Sequence, residues 1–363
     1  MKILHIHPSL ASGGIEAMIC ALANEMSHGH SVSVCSIYKP KTEHLFWNKL
    51  NTYVQRYSLG KDRKGFSLKE VFNIYAFICK NEYDVVYLHG FIQYYLLSVF
   101  LLHKKTKFCY TVHSDAYKEN VGWSKRLFPL KRFFFKNKWI IPITISHASK
   151  DSFTELYKCP SILIYNGISN PQVSLCPPEI INQVRYSEKT KVFIHPGRIS
   201  SAKNQIVLCE VFNRLIKEGN DVVLLIAGAN DDRSIFTKLE PYFSDRIMYI
   251  GLRSDIIDLM AYSDAMCLPS LWEGLPVALL EALAVGCIPI CSPVGGIVNI
   301  IQNDYNGLLS NSSSENDYLI AVSKFLAKSK DELKYIKANC SKSFDNYNIT
   351  ETAQKYLQIV SSI

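Results

Sequence analysis

The sequence predicts an α/β protein made of two Rossmann-like domains, and three observations carry that prediction. Both halves open on a short apolar strand, a turn with glycine and an amphipathic helix: residues 2–8 lead into Ser12-Gly13-Gly14, and residues 191–195 lead into Gly197-Arg198. The strand candidates at 84–89 and 222–227 are nearly continuous apolar runs, as expected of strands buried in a parallel sheet. Between the halves, residues 168–185 carry Pro171, Pro177 and Pro178 with little periodicity, which reads as a linker. The expected division is 1–170, a linker at 171–185, a second domain at 186–345 and a last helix at 346–363.

Taken in order, residues 2–8 are a strand, and a helix over about 15–26 places Ile15, Met18, Ile19, Leu22 and Met26 on one face. His28-Gly29-His30 turns the chain into a second strand at 31–37. Gly13 and Gly14 thus sit at the first strand–helix turn, where backbone approaches phosphate in doubly wound sheets; a plain tight turn explains them equally. A dinucleotide fingerprint is excluded, because the Gly-x-Gly-x-x-Gly spacing is missing and no acid closes the second strand. Helices follow over 66–81 and 93–102, and strands over 84–89 and 107–112, the latter ending at His113-Ser114-Asp115. Residues 123–138 alternate Trp123, Leu127, Phe128, Leu130 and Phe133–Phe135 with Lys125, Arg126, Lys131, Arg132, Lys136 and Lys138. Either an interfacial segment or a helix packed on its own domain with a solvated basic face gives that pattern. Strands at 139–145 and 162–165, with a helix opening at 146, complete the first half. The second half repeats the alternation, with strands at 191–195, 222–227, 247–250, 265–268 and 288–291 and a helical, polar tail from residue 314.

With 363 residues the chain has room for two domains of roughly 150 residues. Its 48% hydrophobic and 20% charged content is that of a globular protein, not a disordered one. Eleven scattered Cys, without a Cys-x-x-Cys pair, suit reduced thiols in a cytoplasm. No signal peptide and no stretch of roughly 18 apolar residues is seen, so a soluble or peripheral protein is expected. Residues 1–180 hold 22 Lys and Arg against 12 Asp and Glu, whereas residues 181–363 hold 18 against 20. A basic first half points to an anionic partner there: a membrane surface, a phospholipid or a lipid pyrophosphate. No nucleic-acid recognition motif accompanies the charge.

The densest chemistry lies at 270–284, Ser-Leu-Trp-Glu-Gly-Leu-Pro-Val-Ala-Leu-Leu-Glu-Ala-Leu-Ala. It reads as a strand end, a tight loop and a helix, with Pro276 in the first helical turn and Gly286 as a C-cap. Glu273 then sits at the helix mouth and Glu281 about two turns inside, while the N–H groups of Gly274, Leu275 and Val277 and the helix dipole favour an anion. A nucleotide sugar, with hydroxyls at both ends of a diphosphate, could bridge these features; an amphipathic helix with two surface Glu is the plainer account. Arg198 and Lys203 flank the first turn of the second half, and a guanidinium fork and a lysine point charge suit a diphosphate leaving group. No Asp-x-Asp occurs, so metal-independent chemistry is expected, with no cofactor. His113 ends a strand and either contacts a sugar or is structural; Asp115 is the one carboxylate placed near it by sequence.

Four parts of the chain resemble a retaining GT-B glycosyltransferase of family four. They are Gly13-Gly14-Ile15-Glu16 with the turn at His28-Gly29-His30, the Arg198 and Lys203 pair, Glu273-Gly274-Leu275-Pro276 through Glu281, and Asn166-Gly167 closing the first half. The resemblance implies two Rossmann-like domains facing a central cleft, the first binding acceptor and the second a nucleotide sugar, with the last helix crossing back to the first domain. It implies that Glu273 binds donor-sugar hydroxyls, Glu281 the ribose, and Arg198 and Lys203 the diphosphate, helped by amides of Gly14 and Leu275. Gly251 and Leu252 would lie near the nucleobase and His113 beside the transferred sugar. Retention would proceed by front-face attack with the leaving phosphate as base. The chain departs from the pattern at Asn299, where many relatives carry Glu.

The expected function is therefore transfer of a sugar from a nucleoside-diphosphate sugar, a UDP-sugar favoured, to a lipid-linked or oligosaccharide acceptor. O-antigen, capsule or exopolysaccharide assembly at the inner face of a bacterial membrane is the expected setting. A transferase with a soluble acceptor and a nucleotide-sugar 2-epimerase of the same fold are the alternatives; the latter needs an acid/base pair around the sugar C2, and none is placed.

Overall fold

The computed structural model describes the chain except residues 12, 41–44, 63–64, 91, 121 and 362–363, so Ser12 of the first glycine turn lies outside the described residues. The contacts divide the chain into two units, Met1–Ser169 with the last helix, Ile349–Ser361, and Asn170–Asn348. In the first unit, β1 (Lys2–His7), β2 (Ser31–Tyr38), β3 (Gln55–Lys61), β4 (Val85–His89), β5 (Lys107–Val112), β6 (Ile141–Thr144) and β7 (Ile162–Leu163) form one sheet in the order β3-β2-β1-β4-β5-β6-β7. All its pairs are parallel. In the second, β8 (Lys191–Pro196), β9 (Val222–Ala227), β10 (Ile247–Gly251), β11 (Ala265–Leu268), β12 (Ile288–Cys291) and β13 (Leu308–Leu309) run in the order β10-β9-β8-β11-β12-β13, again all parallel. Both are doubly wound α/β sheets, the fold class the alternating pattern predicts.

The strand order has a consequence for function. In a parallel sheet the carboxyl ends of all strands lie along one edge, and the strand order reverses between β1 and β4 and between β8 and β11. Ligands of such sheets bind outside the carboxyl ends of the strands, at these points of reversal. Burial enforces the arrangement: β9 is buried along its whole length, and the helix Gly14–Met26 after β1 buries Met18, Ile19, Leu22, Ala23 and Met26.

The last helix belongs to the first unit. Ile349 N–H donates to the Ile168 carbonyl at 3.1 Å, and the Tyr87 hydroxyl donates to the Tyr356 carbonyl at 2.7 Å. The Tyr356 hydroxyl is 3.3 Å from Thr111 Oγ1, and Tyr356 is buried. Residues 171–185, expected as a linker, are packed within the second unit. They hold the helix Glu179–Val184, with Ile181 and Val184 buried, and the Ser174 hydroxyl donates to Asp258 at 2.7 Å.

The structure departs from the sequence reading in three places. Residues 123–138 hold two short helices, Trp123–Arg126 and Phe128–Lys136, broken at Leu127, with Pro129 in the first turn of the second. Lys131 is not part of a solvated basic face: it is 1% exposed, its Nζ donating to Ser124 Oγ at 2.8 Å and to Asn120 Oδ1, and burial pulls its pKa down to about 8. The edge strand β3 and the helix Leu45–Lys49 were not anticipated, since β3 is largely exposed and carries Arg56 and Lys61 where an inner strand has apolar residues. All eleven Cys are free thiols.

Five buried histidines, His5, His7, His89, His113 and His195, sit on strands or just past a strand end. Burial holds His5 and His113 down to about 3, His7 and His195 to about 4, and His89 well below its usual range. Their folded-state pKa values lie below the unfolded value of about 6.5. The unfolded chain therefore binds more protons below that pH, and stability is full above it and lost as pH falls. Each histidine can remove up to about 1.4 kcal/mol per pH unit in that window. Urea midpoints measured from pH 7.5 to 5 should fall steadily below pH 6.5; a flat profile to pH 5 would contradict neutral burial.

Candidate active site

The second unit brings Lys203 and Glu273 together. After β8 the chain passes Gly197 and Arg198 into a single 3-10 turn, Ser201–Lys203, and then the helix Gln205–Lys217. After β11 it passes Ser270 and Glu273 into the helix Val277–Ala284, with Pro276 at the N-cap, one position before the turn expected to hold it. Lys203 Nζ donates to Glu273 Oε1 at 2.6 Å, and the Ser270 hydroxyl donates to the same oxygen at 2.7 Å. Leu271 N–H donates to the Ala202 carbonyl at 2.8 Å, so the two loops are joined by backbone as well.

Backbone packing fixes both loops. Gly295 has φ +56, and a Cβ there would lie 1.9 Å from the Glu273 carbonyl oxygen. Gly296 N–H donates to the Gly274 carbonyl at 2.6 Å. At the other loop, a Cβ on Gly228 would lie 2.2 Å from the Gly197 carbonyl oxygen. Beneath it, His195 is buried and neutral: its Nδ1–H donates to the Cys267 carbonyl at 2.8 Å, and its Nε2 accepts from Gln205 Nε2 at 3.2 Å. Gln205 Nε2 also donates to the Arg198 carbonyl at 2.9 Å. These bracing groups, His195, Gln205, Ser270, Gly228 and Gly295, were not anticipated. Only the glycines leave a trace in sequence, as loop glycines after a strand.

The remaining residues of the expected donor site are placed as follows. Arg198 is exposed and pairs with Asp231 at 3.6 Å. Gly251 ends β10 with φ +70 and open space where a Cβ would stand, beside a half-exposed Leu252. Gly274 and Leu275 lie in the loop before the helix, and Glu281 is half-buried on that helix. It is the fifth residue of the helix, so about one turn inside rather than two. Asn299 is exposed on the short helix Ile297–Ile300.

In the first unit, Gly13 precedes and Gly14 begins the helix after β1, and the Gly13 carbonyl accepts from Ala17 N–H at 3.0 Å. His113 follows β5 and is nearly buried. Its carboxylate neighbour is Glu119 and not Asp115. Glu119 Oε1 accepts from the backbone N–H groups of His113 at 2.8 Å and Ser114 at 3.0 Å, while Oε2 accepts from the Tyr110 hydroxyl at 2.8 Å. Asp115 instead caps the helix Ala116–Glu119 through Tyr117 and Lys118 N–H.

Gly295→Ala should disturb the site without touching a side chain in it. The clash with the Glu273 carbonyl forces that loop to move, and the left-handed backbone adds strain. The variant should melt several degrees lower, in line with a cost of about 1–3 kcal/mol for overpacking. Unchanged melting would show that the loop gives freely.

The family described as "Glycosyl transferases group 1" matches residues 178–342, and "Glycosyltransferase Family 4" matches residues 12–170. A curated relative from Escherichia coli, UDP-Gal:alpha-D-GlcNAc-diphosphoundecaprenol alpha-1,3-galactosyltransferase, is 26% identical over 84% of this chain and 80% of its own. The N,N'-diacetylbacillosaminyl-diphospho-undecaprenol alpha-1,3-N-acetylgalactosaminyltransferase of Campylobacter jejuni is 32% identical over 41% of this chain and 39% of its own. Among solved structures, Anabaena HepE in complex with UDP-glucose superposes with a TM-score of 0.82 at 18% identity, covering 100% of both chains. Two family matches on successive halves, on two doubly wound parallel sheets, place the chain among the GT-B glycosyltransferases of family four, group 1.

Proposed function

We propose that the protein transfers a sugar, with retention, from a UDP-sugar to a polyprenyl-diphosphate-linked saccharide in bacterial surface-polysaccharide assembly. The observation that carries the reading is the Lys203–Glu273 pair beside the helix Val277–Ala284 at the carboxyl edge of an all-parallel sheet. A dianionic diphosphate competes for Lys203, and Glu273 is then released to accept from donor-sugar hydroxyls. Arg198 reaches the same diphosphate once it leaves Asp231, and the amides of Gly14 and Leu275 assist. Glu281 accepts from the ribose hydroxyls, and Gly251 and Leu252 flank the base. His113 meets a hydroxyl of the transferred sugar. The glycosyl C1–O bond to phosphate breaks as the acceptor oxygen bonds to C1 on the same face. The acceptor proton passes to the departing phosphate oxygen, so no protein nucleophile is needed and the diphosphate charge is met by Lys203 and Arg198 in place of a metal.

The acceptor class is supported by the relatives' undecaprenol-linked substrates and by a surface of the first unit. Phe100, Leu101, Leu130 and Phe133 are exposed large apolar residues, and Phe100 and Phe133 both flank Trp139, with ring centroids at 6.2 and 5.2 Å. Lys104, Lys105, Arg126, Lys136 and Lys138 belong to the same stretches of chain. Apolar rings amid cations suit an anionic membrane surface at the cytoplasmic face. Among the described residues no helix is long and apolar enough to cross a membrane.

Thermal shift with UDP, GDP, ADP, CMP and their sugar conjugates, in EDTA, tests the donor. At 100 times its Kd a ligand adds about 2.7 kcal/mol, a shift of several degrees, and this should occur for UDP and vanish in Lys203→Ala. Stabilisation only with added metal, or by another nucleotide, overturns that part of the proposal. Glu273→Ala should fold and lose on the order of 100-fold in transfer rate, as for loss of one electrostatic contact in a transition state. Flotation with anionic vesicles tests the surface: wild type should float, and Phe100→Ser with Phe133→Ser should not.

A further inference from the structure

Three histidines on neighbouring strands of the first unit form one hydrogen-bonded line. His5 lies on β1, His89 ends β4 and His113 follows β5, and β1, β4 and β5 are adjacent in the sheet. His5 Nδ1 is 3.2 Å from His89 Nε2, and His89 Nδ1 is 3.0 Å from His113 Nε2. The register explains the line. His5 pairs with Tyr87, and the line steps to His89, two residues on; His89 pairs with Thr111, and the line steps to His113, again two on. Residues two apart share a sheet face, so the rings climb diagonally across one face toward the carboxyl edge.

The line has a direction. Its inner end, His5 Nε2, is buried and has no hydrogen-bond partner among the described residues, and the His5 ring is stacked on Tyr87 at 4.9 Å. An orphaned buried N–H is the rarer defect, so a bare lone pair belongs at that end. All three rings are neutral, held so by burial. A neutral imidazole carries one donor and one acceptor. Nδ1–H of His5 then donates to His89 Nε2, and Nδ1–H of His89 donates to His113 Nε2. The groups around the outer ring leave this unchanged. Glu119 is engaged by the backbone N–H groups of His113 and Ser114 and by Tyr110, and His7, the other imidazole that bears on His113, is itself neutral, with Nδ1 against the Ser9 carbonyl.

We infer that His5 and His89 are positioning residues that lock His113 as the Nδ1–H tautomer, so that His113 serves substrate as a fixed hydrogen-bond donor and not as a base. On the transferase reading above, which the second part of this inference rests on, the acceptor of that hydrogen bond is an oxygen of the transferred sugar. A donor aimed at a sugar hydroxyl orients the ring before the C1–O bond breaks and takes no proton from the acceptor. That agrees with a departing phosphate acting as the base. A free neutral imidazole prefers the Nε2–H form, so the lock is a measurable departure.

Long-range proton–nitrogen NMR spectra of the full-length protein with nitrogen-15 histidine, recorded at pH 7.5 without substrate, test the lock. The His113 signals, assigned by their loss in His113→Asn, should show a protonated Nδ1 and a bare Nε2. His89→Leu should shift His113 toward Nε2–H and lower kcat at least about tenfold, with donor KM changed less than about twofold. His89→Gln, whose amide both accepts and donates, should restore the Nδ1–H form and most of kcat. A wild-type His113 in the Nε2–H form overturns the inference, even if His89→Leu fails to fold. So does a folded His89→Leu with an unchanged tautomer. The expected spectra in a protein that transfers no sugar from any donor would leave the lock standing and overturn the transferase reading alone.

Discussion

The Lys203–Glu273 ion pair ties together the loops on either side of the β8–β11 seam, and the polar edge of the second unit is arranged about it. The two side chains are 18% and 11% exposed, so both charges have lost most of their water. Such a pair gains little net stability, yet removing one partner leaves an uncompensated charge at a cost of about 3–5 kcal/mol. The pair therefore fixes position more than it stabilises. Ser270 supplies the extra hydrogen bond that a desolvated carboxylate requires, and the Leu271–Ala202 backbone bond keeps the loops in register. Gly295 permits the approach of a third loop to the Glu273 backbone, which no other residue could allow at 1.9 Å.

The matching edge of the first unit is built on the opposite principle. There the polar groups are neutral imidazoles bonded in a line, His5 stacked on Tyr87 and on His89. No charge has to be desolvated, so the line can run through the face of the sheet that the last helix covers with Tyr356. Glu119, the carboxylate nearest His113, has its own pKa raised, chiefly by burial, and is bonded to backbone, which fixes where the strand end turns.

The strands were legible because a parallel strand covered on both faces must be apolar along its length, and runs such as Val222–Ala227 can be little else. β3 escaped notice for the same reason, since an edge strand is free of that demand. Lys131 misled because amphipathic counting treats every lysine as a solvated charge, whereas this one is held by Ser124 and Asn120 inside the fold. At the polar edge of the second unit, Arg198, Lys203, Glu273 and Glu281 stood out because their spacing about strand–helix turns is local. The His195–Cys267 and Gln205–Arg198 bonds that brace them were hidden, because the first joins residues 72 apart in sequence and the second depends on a helix start in the left-handed conformation at Asn204. Glu119 was missed where Asp115 was named, although both lie within six residues of His113; a capping residue and a strand-end anchor look alike until the turn between them is known.

The two edges divide the chemistry by what each can desolvate. In a pair of opposite charges that is already matched, the lysine can turn to an anionic ligand while hydroxyls of the same ligand satisfy the freed carboxylate, so the Lys203–Glu273 edge suits a diphosphate joined to hydroxyls. A line of neutral imidazoles cannot neutralise an anion, but it can hold a donor in one orientation against a neutral oxygen, since any other tautomer would leave a buried N–H unmet at its far end. Fixed orientation at a neutral oxygen and exchangeable charge at an anion are separate demands, and each unit's edge answers one of them. A chain that met both with charged groups would bury unpaired charge whenever the ligand left.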